Sequence, residues 1–178
     1  MGRFERDCGV EGKNIMPKID VAKIAEVSGS FYPEGLGDAC LGRHWKQLGD
    51  AAGLTQFGAN LVRVEPGAWS SLRHWHEEED EFLIMVSGEL VLIEDDGESL
   101  MRAGDCAGFR RQSGNGHHLV NRSTQDGVFL VVGSRAKRER CHYPDVDLVF
   151  VEDEKGPRYT RRSGEILRSL WPEPPPAS

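Results

Sequence analysis

Long apolar runs are missing from this chain. The longest, Phe82 to Val86 and Val128 to Val132, are five residues each, far short of the ~18 residues a helical membrane span needs. Paired cysteines are missing too. Cys8, Cys40, Cys106 and Cys141 stand far apart with no Cys-x-x-Cys, which excludes a dense disulfide framework and a cysteine zinc knuckle and suits a reduced, cytoplasmic compartment. There is no excess of positive charge: 22 Lys plus Arg face 29 Asp plus Glu, a formal net charge of -7, which argues against a protein built on nucleic-acid phosphates. The first fifteen residues carry charges throughout and no apolar core, so they do not resemble a secretory signal. They read as a polar extension, with Met16-Pro17 as an alternative start. Sustained helical periodicity and internal repeats are also lacking.

What is present is enough apolar material, 38% of 178 residues, for one sizeable core in one domain. Residues 1–50 read as an N-terminal extension and arm, with a weakly helical stretch at Ile19 to Val27 and a Gly-rich piece from Ser28 to Gly42. Residues 51–152 read as a β-barrel. Phe57–Glu65, Glu81–Val86, Glu89–Glu94, Glu98–Arg102, Asp105–Phe109, His117–Asn121, Val128–Gly133 and Val146–Val151 are predicted strands, separated by turn residues such as Ser87-Gly88 and Asp96-Gly97. Short strands at this spacing favour a sandwich or barrel over a parallel α/β sheet. Residues 153–178 read as a polar tail, Pro-rich from Trp171 onward and unsuited to a helix or a central strand.

The chemistry concentrates in one segment, Arg73-His74-Trp75-His76-Glu77-Glu78-Glu79-Asp80-Glu81. In an extended strand His74 and His76 project to one face, because side chains alternate with period two. Two imidazoles so placed can converge on a divalent ion, and Trp75 between them faces away. Glu81 opens the next strand and can bring its carboxylate to the same point, with Asp80 as the alternative. His117 opens a later strand and can supply a third imidazole. Arg73 and Arg111 flank the proposed site and are candidates to clamp a substrate carboxylate.

Gly67, His74, His76, Glu81 and Gly88, followed by Gly104, Asp105, His117 and Asn121, resemble the two motifs of the cupin superfamily. The likeness spans roughly Phe57 to Gly133. It departs from the family pattern in a spacer one residue longer between Gly67 and His74, in Arg110 where proline is usual, and in a turn lengthened by Gln112 to Gly116. The lengthened turn leaves His117 and His118 as alternatives for the last ligand. His117 keeps the family's distance to Asn121, and by parity His118 falls behind the ligands or on the surface.

The resemblance implies an all-β double-stranded β-helix, or jelly roll, with one divalent metal held by His74, His76, Glu81 and His117. Imidazoles with one carboxylate suit Fe, Mn, Ni, Cu or Zn better than Ca or Mg. The function that follows is a metal-dependent enzyme acting on a small polar organic molecule, of dioxygenase, isomerase or decarboxylase type. The alternative is a non-catalytic module that binds or senses a sugar or organic acid, and a structural role with a vestigial site is a third reading. A small-molecule ligand, no nucleic acid, no membrane and a homodimer complete the expectation, with the Gly-rich arm as the segment to be exchanged between subunits.

Overall fold

The structure is a computed structural model that describes residues 18–170. Fourteen strands follow in chain order: β1 (Val27–Ser28), β2 (Arg43–Gln47), β3 (Phe57–Val64), β4 (Trp75–His76), β5 (Glu81–Ser87), β6 (Glu89–Glu94), β7 (Gly97–Arg102), β8 (Cys106–Phe109), β9 (His118–Val120), β10 (Gly127–Ser134), β11 (Glu139–Tyr143), β12 (Leu148–Glu152), β13 (Arg158–Thr160) and β14 (Ile166–Ser169). They form a six-stranded sheet in the order β1-β2-β3-β10-β5-β8, a five-stranded sheet β14-β13-β12-β11-β4 and a three-stranded sheet β7-β6-β9. Bridges between Trp69 and Val120 and between His74 and His117 stitch the smaller sheets together. This is the expected jelly roll.

Strand alternation builds the interior. Along β5, Leu83 and Met85 are buried at 3% and 1% exposure while Phe82 and Val86 stay exposed, the period-two pattern of a sheet with one face on a core. Leu83 and Met85 pack with Val62, Val64, Leu90, Leu92, Met101, Leu119 and Phe129 into an aliphatic cluster. A second cluster is different in kind: Tyr32, Cys40, Leu72, Cys141, Tyr143, Leu148 and Tyr159.

Two motif residues prove to be architectural. Gly88 joins β5 to β6 at φ +69, and any Cβ there would collide with the Asp126 carbonyl oxygen, so only glycine fits the turn. Asn121 is fully buried. Its amide donates to the carbonyls of Val64 at 2.7 Å and Gln125 at 2.8 Å, and its oxygen accepts from the Ser123 amide at 2.9 Å. It locks the turn leading to β10.

Three expectations are corrected. The predicted helix at Ile19 to Val27 shrinks to one 3-10 turn, Val21–Lys23, followed by β1; two valines and two isoleucines, all β-branched, favour extended backbone once a sheet edge is available. The extension of residues 1–50 does not end outside the barrel: β2 pairs with β3 from Arg43↔Val64 to Gln47↔Asn60. Within it Tyr32 is buried in the second cluster at 8% exposure, and its carbonyl accepts from Arg168 at 2.9 Å.

The third correction concerns the polar tail expected from residue 153, which contains β13 and β14. Charged residues mask these strands in the sequence, yet Tyr159 and Thr160 are buried at 8% and 5% exposure. The Pro-rich end from Trp171, like the expected extension before Lys18, lies outside the described residues. Among the described residues no helix is long and apolar enough to cross a membrane.

Candidate metal centre

β4 is two residues long, but it is pinned on both sides. His76 pairs with Cys141 and Trp75 with His142 on β11, and the His74 and His117 backbones exchange hydrogen bonds of 3.1 and 2.9 Å. His74 and His76 therefore point into the barrel together, as alternation requires. Trp75 points the other way and stacks on His142 at 4.3 Å and 13°. Glu81, first residue of β5, faces them.

The result is a convergence on one oxygen. Glu81 Oε2 lies 3.7 Å from His74 Nε2, 3.4 Å from His76 Nε2 and 3.0 Å from His117 Nε2. The structure thus brings together all four residues that the motif reading selected. Donor atoms of His74, Glu81 and His117 all lie within 4.8 Å of one another. His76 joins a second such group with His74 and the Cys141 sulfur, and a third with Glu79 and Glu139.

The supporting contacts fix the rings. His74 Nδ1–H donates to the Leu72 carbonyl at 2.9 Å, which leaves the Nε2 lone pair directed at the shared point. His117 stacks flat on Phe109, 3.5 Å apart and 2° from parallel. His76 stands between carboxylates, with Glu139 Oε1 3.3 Å from its Nδ1. Glu139 is 3% exposed and is itself held by the amides of Glu77 and Glu78, both at 3.0 Å. Neither ring nitrogen of His76 makes a well-aligned hydrogen bond, and His117 Nδ1 is buried without one. Buried nitrogens in that condition are costly unless something binds them.

Electrostatics follow from the same geometry. Burial works against a charged His76, but the nearby carboxylates of Glu139 and Glu81 outweigh it and hold its pKa up at about 10. Burial pushes His117 down to about 4, with the charges of His74 and His76 adding to the effect and Glu81 opposing it. Glu81 is raised by burial, yet its hydrogen bond with His117 and the facing rings of His74 and His76 bring it well below the usual carboxylate range. An anionic carboxylate faced by buried imidazoles is a donor set that a divalent transition metal fits.

The remaining candidates fare differently. His118 is buried, with Nδ1 3.0 Å from the Ser71 carbonyl and its ring edge-on to Trp69 at 4.8 Å; it belongs to the cavity wall beside the cluster. Arg73 is committed elsewhere. It pairs with Asp145, at 2.9 and 2.6 Å, and with Asp95, so it fastens loops behind the site instead of reaching a substrate. Arg111 is an exposed residue 3.4 Å from Glu78 and does not line the cavity. Arg73 adjoins His74 in sequence and Arg111 lies in the turn after β8, and nearby acids hold both away from the cavity.

Sequence reasoning missed Glu139, Cys141 and Arg43. The first lies in the basic run Arg135 to Arg140, a pattern typical of a solvated loop, in which its one acid among cations is the available signal. Cys141, set aside with the other cysteines, lines the site as a buried thiol whose pKa burial pushes well up. A cavity of about 340 Å³ extends from the cluster, lined by Leu83, Phe129 and Val131 on the apolar side and by Arg43, Asn60 and Tyr143 on the polar side.

Comparison with known proteins agrees with this architecture. The cupin domain family matches residues 60–133. Among solved structures, a sugar phosphate isomerase from Silicibacter pomeroyi DSS-3 is 49% identical, with 85% of this chain and 97% of that one covered and a TM-score of 0.82. A protein assigned as a sugar phosphate isomerase from Acidithiobacillus ferrooxidans ATCC 23270 is 28% identical, over 78% of this chain and 86% of that one, with a TM-score of 0.67. The polyketide cyclase RemF from Streptomyces resistomycificus, 19% identical over 67% of this chain and 79% of its own, shares the fold at a TM-score of 0.55. No curated protein matches. The jelly roll, the spaced His, Glu and Gly motifs and these relatives together show that the chain belongs to the cupin superfamily.

Proposed function

We propose that this protein is a metal-dependent isomerase of a small hydroxy-carbonyl compound of the sugar-phosphate class. It would hold one divalent transition metal, Fe, Mn, Ni, Cu or Zn, on His74, His76, Glu81 and His117. The observation that carries the reading is the meeting of three imidazole Nε2 atoms on Glu81 Oε2, at 3.0 to 3.7 Å, inside a cavity large enough for a small molecule. Of the three reaction types open at the sequence level, isomerisation is favoured by the 49% identical relative from Silicibacter pomeroyi.

A divalent ion at these ligands would polarise a carbonyl or hydroxyl oxygen of the substrate. The chain's own residues do the rest. Glu139 and the Leu72 carbonyl orient His76 and His74. Leu83, Phe129 and Val131 keep one wall of the cavity dry. His118 donates Nδ1–H to the Ser71 carbonyl, and burial lowers its pKa. Its Nε2 is therefore a neutral acceptor in the cavity wall, able to take a proton from a carbon next to the carbonyl.

Among the described residues the three cysteines, Cys40, Cys106 and Cys141, are unpaired thiols, which fits a reducing, cytoplasmic setting. The reading keeps the homodimer, which light scattering tests as twice the chain mass of 19.8 kDa.

Elemental analysis of protein purified without a metal-affinity step comes first. Proton NMR in D2O with triose, pentose and hexose phosphates follows. The expected result is one transition metal per chain and aldose–ketose interconversion with deuterium entering beside the carbonyl. Metal-loaded protein that converts none of these compounds overturns the isomerase. Substrate-dependent O2 uptake would replace it with an oxygenase.

A further inference from the structure

Arg43 enters the cavity from β2, and its surroundings are unusual for a guanidinium. Among the described residues no carboxylate lies within ion-pair distance of it. It is nonetheless held firmly: Nη1 donates to the Ser70 carbonyl and Nη2 to the Gly29 carbonyl, both at 3.1 Å. Its plane carbon sits 4.5 Å from the centre of the Trp45 ring. Those contacts use two of its five N–H groups. The Nε–H is buried and has no partner.

The neighbours are donors, not acids. Tyr32 and Tyr159 share the cavity with Arg43, and burial keeps both phenols protonated. The Tyr32 oxygen accepts from the Leu72 amide at 3.2 Å, so its own hydrogen is free to donate. Ser70 lines the same wall. A cation clamped in place, an unused N–H and protonated hydroxyls make a pocket that lacks only an anion.

We infer that Arg43 anchors an anionic group of the ligand, a phosphate ester or a carboxylate, through its Nε–H and remaining Nη hydrogens. The inference rests on the reading of this cavity as the substrate site, and it adds a specificity-determining residue to it. Placement along the sheet is compatible. Trp45, over which the guanidinium lies, is level with Val62 on β3. Glu81 is level with Gly133, and Gly133 with Gly58. Val62 and Gly58 are four residues apart, about 13 Å of strand, which leaves room for a short carbon chain between the two ends.

The test uses inorganic phosphate and, separately, acetate, with the Arg43 Nε–Hε signal of the wild-type protein followed by 15N NMR in the presence and absence of added metal. Arg43→Gln and Arg43→Lys are titrated in parallel. Arg43 as anchor predicts a saturable shift of that signal. It also predicts a dissociation constant raised at least about tenfold in Arg43→Gln, with partial recovery in Arg43→Lys. Saturation by phosphate alone assigns an ester, and by acetate alone a carboxylate.

A signal unmoved by both anions, or equal affinity in wild type and Arg43→Gln, overturns the inference. If Arg43→Gln does not fold, the wild-type titration decides by itself. Failure of the isomerase reading shows instead as absent metal or absent turnover while the anion titration is unaffected.

Discussion

The two core clusters of this barrel differ in chemistry, and the site lies along their seam. One is aliphatic, built on Val62, Val64, Leu83, Met85, Leu90 and Leu119. The other carries Tyr32, Tyr143, Tyr159, Cys40 and Cys141. Phe109, packed against the first, stacks on His117, while Tyr143, from the second, lies 5.9 Å from His74. The aliphatic half supplies non-directional burial and holds the sheets together. The tyrosine half can both bury area and aim hydroxyls, so it is the half that can shape a ligand pocket. Scaffold and specificity are divided between two walls.

That division can be attacked from either side. The largest effect is expected in the aliphatic wall. Met85→Ala, at a site 1% exposed, should cost about 2–5 kcal/mol of stability, read by urea unfolding, while the protein that remains folded keeps its full metal content. Loss of metal in proportion to stability would show that the two walls are not separable.

Next is the polar wall. Glu139→Gln should weaken metal affinity by about 10–100-fold, measured by competition with a chelator, because the carboxylate 3.3 Å from His76 Nδ1 is gone. An unchanged affinity would reduce Glu139 to a loop fastener for the Glu77 and Glu78 amides. Phe109→Ala exposes the face of His117 that it now covers. It should lower stability by a few kcal/mol, about what truncation of a partly buried aromatic costs, and broaden the His117 ring signals in NMR.

The smallest effect belongs to the loops behind the site. The Arg73 guanidinium hydrogen-bonds Asp145 and holds its carboxyl below the usual range. The stabilisation is therefore present above the unfolded carboxylate value, about 3.9, and is lost as pH falls through the lower folded value. Asp145 is more than half exposed, so screening keeps the effect at or below about 1 kcal/mol. Asp145→Asn should flatten the acid limb of the stability curve slightly and leave metal content alone.

The comparison also explains what could be seen in the sequence. Glu81–Ser87, Glu89–Glu94 and Gly127–Ser134 were legible because aliphatic alternation and turn glycines mark them. The convergence of His74 and His76 was legible because a one-residue spacing places both on one face of a strand, and Glu81 and His117 were legible from the motif spacing that they share with the cupin pattern. The other wall was hidden. Arg43-His44-Trp45-Lys46-Gln47 has no aliphatic alternation, and Arg138-Glu139-Arg140 reads as a solvated run. Arg158-Tyr159-Thr160 gives no strand signal until the partner strand Val149–Val151 is beside it. Burial of Glu139 and Arg43 is decided by hydrogen bonds from residues distant in the chain, which no local pattern reports.

The central claim is that three histidines and Glu81 form one metal site, with Cys141 beside it but outside it. X-ray absorption spectroscopy of protein reconstituted with Zn²⁺ tests this most directly. The account predicts a shell of nitrogen and oxygen near about 2.0–2.1 Å with outer scattering from three imidazoles. A sulfur shell near about 2.3 Å, or no ion retained at all, would contradict it.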